Sequence, residues 1–359
     1  MNIKFVKSKN LKSKDALNSG DLPFGKVFTD YMFEMDYKPD KGWHDAKITP
    51  YAPLSLDPAT TSLHYGQLFF EGLKAYRHKD GRIALFRPIE NMHRMNQSAW
   101  RMSMAEINPE EVLDALVQLV RLEKDWVPGA PESSLYIRPF MLGLDPVLGV
   151  KSSETYKLVI IQCPVGPYYG KDGLAPVRIF VEDEFVRAVK GGTGYAKCAG
   201  NYAATLRSQQ KASEKGCKQV LWLDGVHRKY VEEVGAMNVF FVMGDTVVTP
   251  ELSGSILPGV TRKSVIEILK DWGKKVEERL ISIDEVLKAY DDGKLVEAFG
   301  SGTAAVISPI GEFVYGEKSM KLDEEKPGEL TQKIFDELAG IQYGTREDKR
   351  GWLKFVDVE

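Results

Sequence analysis

At 359 residues the chain is long enough for two domains of ordinary size. Hydrophobic residues make up 43% and charged residues 28%, the mix of a soluble globular protein. The 48 basic and 51 acidic residues leave a net charge of -3, so no basic surplus points to general nucleic-acid binding, although a local pocket for a small anion stays open.

The N-terminal stretch MNIKFVKSKNLKSKDALNSGDL is polar after Val6 and lacks the apolar centre of a signal peptide. Its lysines weakly resemble a transit peptide, but arginine is missing from it. GRIALF (Gly81–Phe86) predicts a strand. RPIENMHRMNQSAWRMSM follows, with Met92, Met95, Ala99 and Met102 at helical spacing. Asn108, Pro109 and Glu111 then supply a cap, a first-turn proline and an acid, and an apolar face runs on through Val112, Leu113, Leu116, Leu119 and Val120. YKLVIIQC (Tyr156–Cys163) is an apolar strand. The turn-rich GPYYGKDGLAP after it marks a boundary. The expected division is a smaller N-terminal domain over 1–168, a linker over 169–178 and a larger domain over 179–359.

Beyond the linker, PVRIFVE, KQVLWLD and MNVFFVMGDTVVTP predict strands, the last a hairpin turning at Gly244-Asp245. Helices are expected at Tyr202–Lys215, Arg262–Trp272, Ile283–Tyr290 and Leu330–Ala339, with Ser282 and Glu285 as a second capping box. Strands mixed with helices, without regular alternation, favour two α+β-like domains over a barrel or a clean doubly wound sheet.

Cys163, Cys198 and Cys217 are too few for a disulfide framework, so a reducing, cytoplasmic compartment is expected. No run approaches the roughly 18 apolar residues of a membrane span. The five histidines are scattered without ligand spacing, and no metal is expected. GGTGYAKCAGNYAA places Lys197 among small residues, which leave room for a flat ring and a phosphate cradle; the stretch also reads as a glycine-rich turn with a solvated lysine. It fails both the phosphate-loop and the dinucleotide patterns. ILPGVTR (Ile256–Arg262) and GSGTAAV (Gly300–Val306) are glycine turns that could hold a phosphate or be plain turns. Arg94 is either solvated or reaches an anion. Tyr136 and Arg138 stand two apart on a strand and point the same way, at a pocket or on an edge strand. Glu232-Glu233 lie in apolar surroundings, as solvated acids at a strand edge or with one turned inward.

Taken together and in order, LHYGQLFFEGLKAYR, LFRPIENMHRM, SLYIRPF, GPYYG, GGTGYAKCAGNYAA, EEVGAMNVFFV, ILPGVTR and GSGTAAV resemble the branched-chain amino-acid aminotransferases. These are fold-type IV enzymes of pyridoxal 5'-phosphate, and the resemblance spans nearly the whole chain. It implies a two-domain, mixed α/β fold and a homodimer. It implies that Lys197 carries the cofactor as a Schiff base, with Tyr202 beside it and Glu233 paired with the pyridine nitrogen. Arg94, the amides of Val260 and Thr261, and Thr303 would hold the phosphate. Phe24, Tyr65, Phe70, Tyr136, Arg138 and Tyr168 would line the substrate pocket, and Ala304 and Ala305 the carboxylate-binding turn. The implied reaction moves the amino group of leucine, isoleucine or valine to 2-oxoglutarate, giving 2-oxo acids and glutamate. Lys197 would take the Cα proton and return it to the cofactor.

The chain departs from relatives within that family in two respects. Ala236 stands where some have a threonine for the phosphate, and Ala305 and Ser308 stand where some animal members carry a redox cysteine pair. A D-amino-acid aminotransferase, a chorismate-derived lyase of the same fold type, and a non-catalytic binding protein are the competing readings.

Overall fold

The computed structural model describes residues 1–18, 22–168 and 173–357. The chain divides into two compact units. One comprises Met1–Tyr168, Ala196–Ala199 and Gly340–Glu359; the other comprises Tyr169–Tyr195 and Gly200–Ala339. Residues 169–172 of the expected linker lie outside the described residues.

The first unit contains β1 (Lys4–Phe5), β2 (Tyr31–Lys38), β3 (Gly42–Pro50), α1 (Thr61–His64), β4 (Leu68–Phe70), β5 (Leu73–Arg77), β6 (Ile83–Phe86), α2 (Pro88–Arg101), α3 (Pro109–Leu122), β7 (Ser134–Gly143) and β8 (Tyr156–Val165). Its sheet runs β1-β3-β2-β8-β7-β5-β6 and ends on the chain's last strand, Leu353–Val356, with β4 paired to β7. The last segment was expected in the C-terminal domain. It belongs here because Leu353–Val356 pairs antiparallel with β6, from Leu353 opposite Phe86 to Val356 opposite Ile83. The expected helix faces hold: Met92, Met95 and Ala99 of α2 and Val112, Leu116 and Leu119 of α3 are fully buried in one core with Phe33 and Leu85. Asn108 caps α3 by accepting from the N–H groups of Glu110 and Glu111. Strand β7 is interior to the sheet, flanked by β8 and β5, which removes the edge-strand reading of Tyr136 and Arg138.

The second unit contains β9 (Val177–Glu182), α4 (Ala199–Ala203), α5 (Leu206–Glu214), β10 (Gln219–Leu223), β11 (Val231–Val234), β12 (Met237–Met243), β13 (Thr246–Thr249), α6 (Val260–Asp271), β14 (Lys275–Glu278), α7 (Ile283–Asp291), β15 (Leu295–Gly302), β16 (Val306–Tyr315), β17 (Lys318–Lys321) and α8 (Glu329–Gln342), whose last turn passes into the first unit. The expected helix over Tyr202–Lys215 is two helices, α4 and α5. The sheet order is β11-β10-β9-β16-β15-β12-β13-β14, and β11 also pairs with β12. That extra pairing closes six strands into a ring, so the expectation against a barrel fails for this unit. The closure comes from a two-residue hairpin that sets Val234 opposite Met237 and Glu233 opposite Asn238. Gly235 makes it, at φ +60, where a side chain would meet Gln219 Oε1 at 2.1 Å. Ser282 caps α7 as expected, but Glu285 turns its carboxylate to Arg279 at 2.6 Å.

Candidate active site

In the first unit, the segment carrying Lys197 is fixed by backbone contacts. The Phe70 N–H donates to the Lys197 carbonyl at 3.1 Å, and the Lys197 N–H donates to Ser98 Oγ at 2.9 Å. Phe69 and Cys198 form an antiparallel bridge beside them. The Lys197 amine lies 5.1 Å from the centre of the Phe70 ring. Burial, and then the Arg94 charge, lower its pKa to about 8. Lys74 on β5 is lowered to about 8 as well, by burial alone. What separates the two amines is their surroundings: Arg94, Glu71, Tyr136 and Arg138 all bear on Lys197.

Arg94 is buried, at 7% exposure. Glu71, at 0%, accepts from Arg94 Nε at 2.7 Å and from Nη2 at 2.9 Å, a bidentate pair. Asn91 Nδ2 donates to the same carboxylate at 2.8 Å, and the Gly72 N–H at 3.1 Å. Burial alone would raise the Glu71 pKa, yet the Arg94 charge and hydrogen bonds outweigh it and hold the group below the usual carboxylate range. Sequence reading missed Glu71, Asn91 and Ser98. The available signals were an acid inside the apolar run LFFEGLKAY and the i, i+3, i+7 spacing of Asn91, Arg94 and Ser98 on one face of α2.

The first unit also gathers part of the expected substrate pocket. The Arg138 guanidinium lies 4.6 Å from the Phe70 ring centre and 5.3 Å from that of Tyr136. Its Nη2 donates to the Tyr136 hydroxyl at 3.0 Å, and its buried Nε has no hydrogen-bond partner among the described residues. Gly72 makes room for Tyr136, since a Cβ there would lie 2.1 Å from the hydroxyl. Phe24 packs edge-on against Tyr136 with ring centres 5.0 Å apart. Tyr65 and Tyr168 are exposed, and Tyr65 instead donates its hydroxyl to the Leu148 carbonyl.

In the second unit both acids of β11 are buried, Glu232 at 5% and Glu233 at 3%, which removes the solvated-edge reading. Glu233 accepts from the Leu257 N–H at 2.7 Å and pairs with Arg187 at 3.0 Å. Arg187 also went unnoticed in the sequence. Its Nη2 donates to the Gly194 and Ser255 carbonyls, tying the GGTG turn to the loop before α6. A Cβ on Gly194 would lie 2.0 Å from the Ser255 oxygen, so only glycine permits that approach. Asn201 locks the same turn, donating to the Thr193 carbonyl at 2.8 Å and accepting from Thr193 Oγ1 at 2.7 Å. Tyr202 follows on α4, partly buried.

Helix α6 opens at Val260 and Thr261 with Gly259 as its N-cap, and no side chain caps it. Its leading amides suit an anion. Asn238 holds the approach by donating to the Leu257 carbonyl at 2.9 Å. Thr303, Ala304 and Ala305 form the turn between β15 and β16, which ends on Val306 at φ +63. A β-branched residue there costs about 1–3 kcal/mol, strain of the kind concentrated at functional turns.

Residues 68–313 match the amino-transferase class IV family model. The branched-chain-amino-acid aminotransferase 2 of Bacillus subtilis (strain 168) is 57% identical over 343 residues, covering 96% of this chain and 94% of that protein. Among solved structures, the Escherichia coli branched-chain amino acid aminotransferase superposes with TM-score 0.74 at 27% identity, over 91% of this chain and 99% of that one. The branched-chain aminotransferase of the thermophilic archaeon Thermoproteus uzoniensis, solved with norvaline, superposes with TM-score 0.74 at 28% identity, over 91% and 100% of the two chains.

Proposed function

The chain belongs to the class IV aminotransferases, in the branched-chain-amino-acid aminotransferase family, and we propose that Lys197 and the paired acids are the machinery with which it moves amino groups between branched-chain amino acids and 2-oxoglutarate. The carrying observation is the Lys197 amine, held on both sides of its backbone and lowered to about 8.

The residues present fit pyridoxal 5'-phosphate by their chemistry. A desolvated amine suits its aldehyde, an uncapped helix start suits its phosphate, and a buried glutamate with a cationic partner suits its protonated ring nitrogen. When bound, the cofactor supplies the electron sink that makes a Cα proton acidic. Arg94, the Val260 and Thr261 amides and Thr303 are the proposed phosphate ligands, with Tyr202 beside the ring. Glu71 aims the Arg94 guanidinium through its two bonds.

At pH 7 about a tenth of an amine with this pKa is neutral, so Lys197 Nζ is able to accept the Cα proton and give it back. The Arg187 guanidinium, 3.0 Å from Glu233, gives the glutamate a counter-charge.

Arg138 supports the two-substrate reading. Arg94 and Arg187 each have a carboxylate partner, whereas Arg138 is flanked by the Phe70 and Tyr136 rings. The rings give an alkyl side chain an apolar surface, and the guanidinium gives the glutamate side-chain carboxylate its counter-charge. Phe24, Tyr65 and Tyr168 complete the proposed pocket, with Ala304 and Ala305 at the substrate carboxylate. A homodimer is the proposed assembly, supported by Leu148 and Val150, which stand 77% and 85% exposed on one loop. No helix of the described residues is long and apolar enough to cross a membrane. Three buried free thiols support a cytoplasmic setting.

Borohydride reduction of the cofactor-loaded protein, followed by peptide mapping, tests the assignment. Lys197 should carry the label, and Lys197→Ala should abolish both label and transamination. A label on Lys74 would overturn it.

A further inference from the structure

The second unit carries a half-open cavity of about 250 Å³, with neither Glu233 nor Arg187 in its lining. Tyr230, Glu232, Ser255, Ile256 and Leu280 line it, with Lys190 exposed at its rim. Glu232 and Glu233 are consecutive on β11, so their side chains leave the strand on opposite faces. The two carboxyls accordingly have separate hydrogen-bond partners, although the Arg187 charge bears on Glu232 as well. Glu233 serves Arg187 and Leu257, while Glu232 Oε1 accepts from the Ser255 hydroxyl.

Glu232 Oε2 is buried and has no hydrogen-bond partner among the described residues. A buried carboxyl oxygen without a donor is costly, and such atoms are rare in folded proteins. Desolvation raises the pKa of this group, consistent with an unmet demand for a donor. The terminal torsion of a glutamate is soft, so the oxygen is able to turn toward a donor entering the cavity.

The lining selects the donor. Asp224, Glu232 and Glu251 face one lysine and one histidine, which favours a cation. A divalent metal is poorly served, because both Asp224 oxygens already accept from four backbone amides, those of Val226, His227, Lys229 and Tyr230. Ile256, Leu280 and Val231 offer an apolar wall for a short aliphatic body. We propose that this cavity is a second small-molecule site, which takes a small alkylammonium and anchors its N–H on Glu232.

Calorimetric titration of the holoenzyme with triethylammonium chloride tests this, because a tertiary ammonium carries one N–H and does not condense with a carbonyl. The wild type should bind it, and a crystal soaked in it should show the nitrogen within hydrogen-bond distance of Glu232. Glu232→Gln should weaken binding about tenfold or more, the scale of a charge-assisted bond. Leu280→Trp, which fills the cavity from its half-exposed wall without touching Glu232, should weaken it comparably. Tetraethylammonium, with no N–H, should bind at least about tenfold more weakly than triethylammonium. Absence of binding, density elsewhere, equal affinity for the two cations, or unchanged affinity in the two variants would each overturn the proposal.

Discussion

Glu71→Gln is the sharpest probe of the first-unit cluster. The substitution keeps the volume and removes one charge. Arg94 then stays at 7% exposure opposite a neutral amide, and its two short bonds lose their ionic partner. Breaking one side of a buried pair costs about 3–5 kcal/mol. For a unit of this size, that lowers the thermal midpoint by roughly 6–20 °C. The acid limb of stability should change too. The folded Glu71 pKa lies below its ordinary 4.5, so its contribution is present above that value and is lost as pH falls through the folded pKa. The variant should lack that component of acid loss. Glu71 also raises the Lys197 pKa, so its neutralisation should move the lysine further below about 8. Differential scanning calorimetry across pH, with a titration of Lys197 reactivity, measures both effects. The double variant Glu71→Gln, Arg94→Met should recover part of the lost stability, because no unpaired charge remains. A midpoint within about 2 °C of wild type, or a raised Lys197 pKa, would refute the reasoning.

The rate at which apo-protein captures pyridoxal phosphate should rise about fivefold from pH 7 to pH 8 and level off above about pH 9, as an amine with a pKa of about 8 loses its proton; a rise that continues to pH 10.5 would mean an unperturbed lysine. Gly194→Ala should destabilise the second unit by about 1–3 kcal/mol in urea denaturation, because the new methyl meets the Ser255 carbonyl at 2.0 Å and Ala188 Cβ at 2.7 Å. Arg138→Met should slow the glutamate half-reaction by about tenfold or more relative to the leucine half-reaction, as followed in single-turnover absorbance; equal losses would show that Arg138 serves both substrates alike.

Local patterns determined a good part of this protein from the sequence. The apolar periodicity of α2 and α3 placed their buried faces, and the Asn108 and Ser282 caps placed two helix starts, because these features depend on residues within a turn or two. The ordered set of motifs around Lys197, Glu233, Arg94 and the two glycine turns was enough to indicate the family. Spacing alone left each of those residues ambiguous. The set of motifs already outweighed the bland reading of Lys197 as a solvated turn lysine, and the fold added what no motif carries, Phe69, Phe70 and Ser98 set against its backbone. Glu71 and Arg187 were invisible as partners because they pair over 23 and 46 positions with groups on other elements, and nothing local encodes such a pairing. The ring in the second unit was likewise undecided by its strands one at a time. Closure depends on β11 finding β10 and β12 together, a non-local hydrogen-bond pattern that no single strand's alternation of side chains reveals.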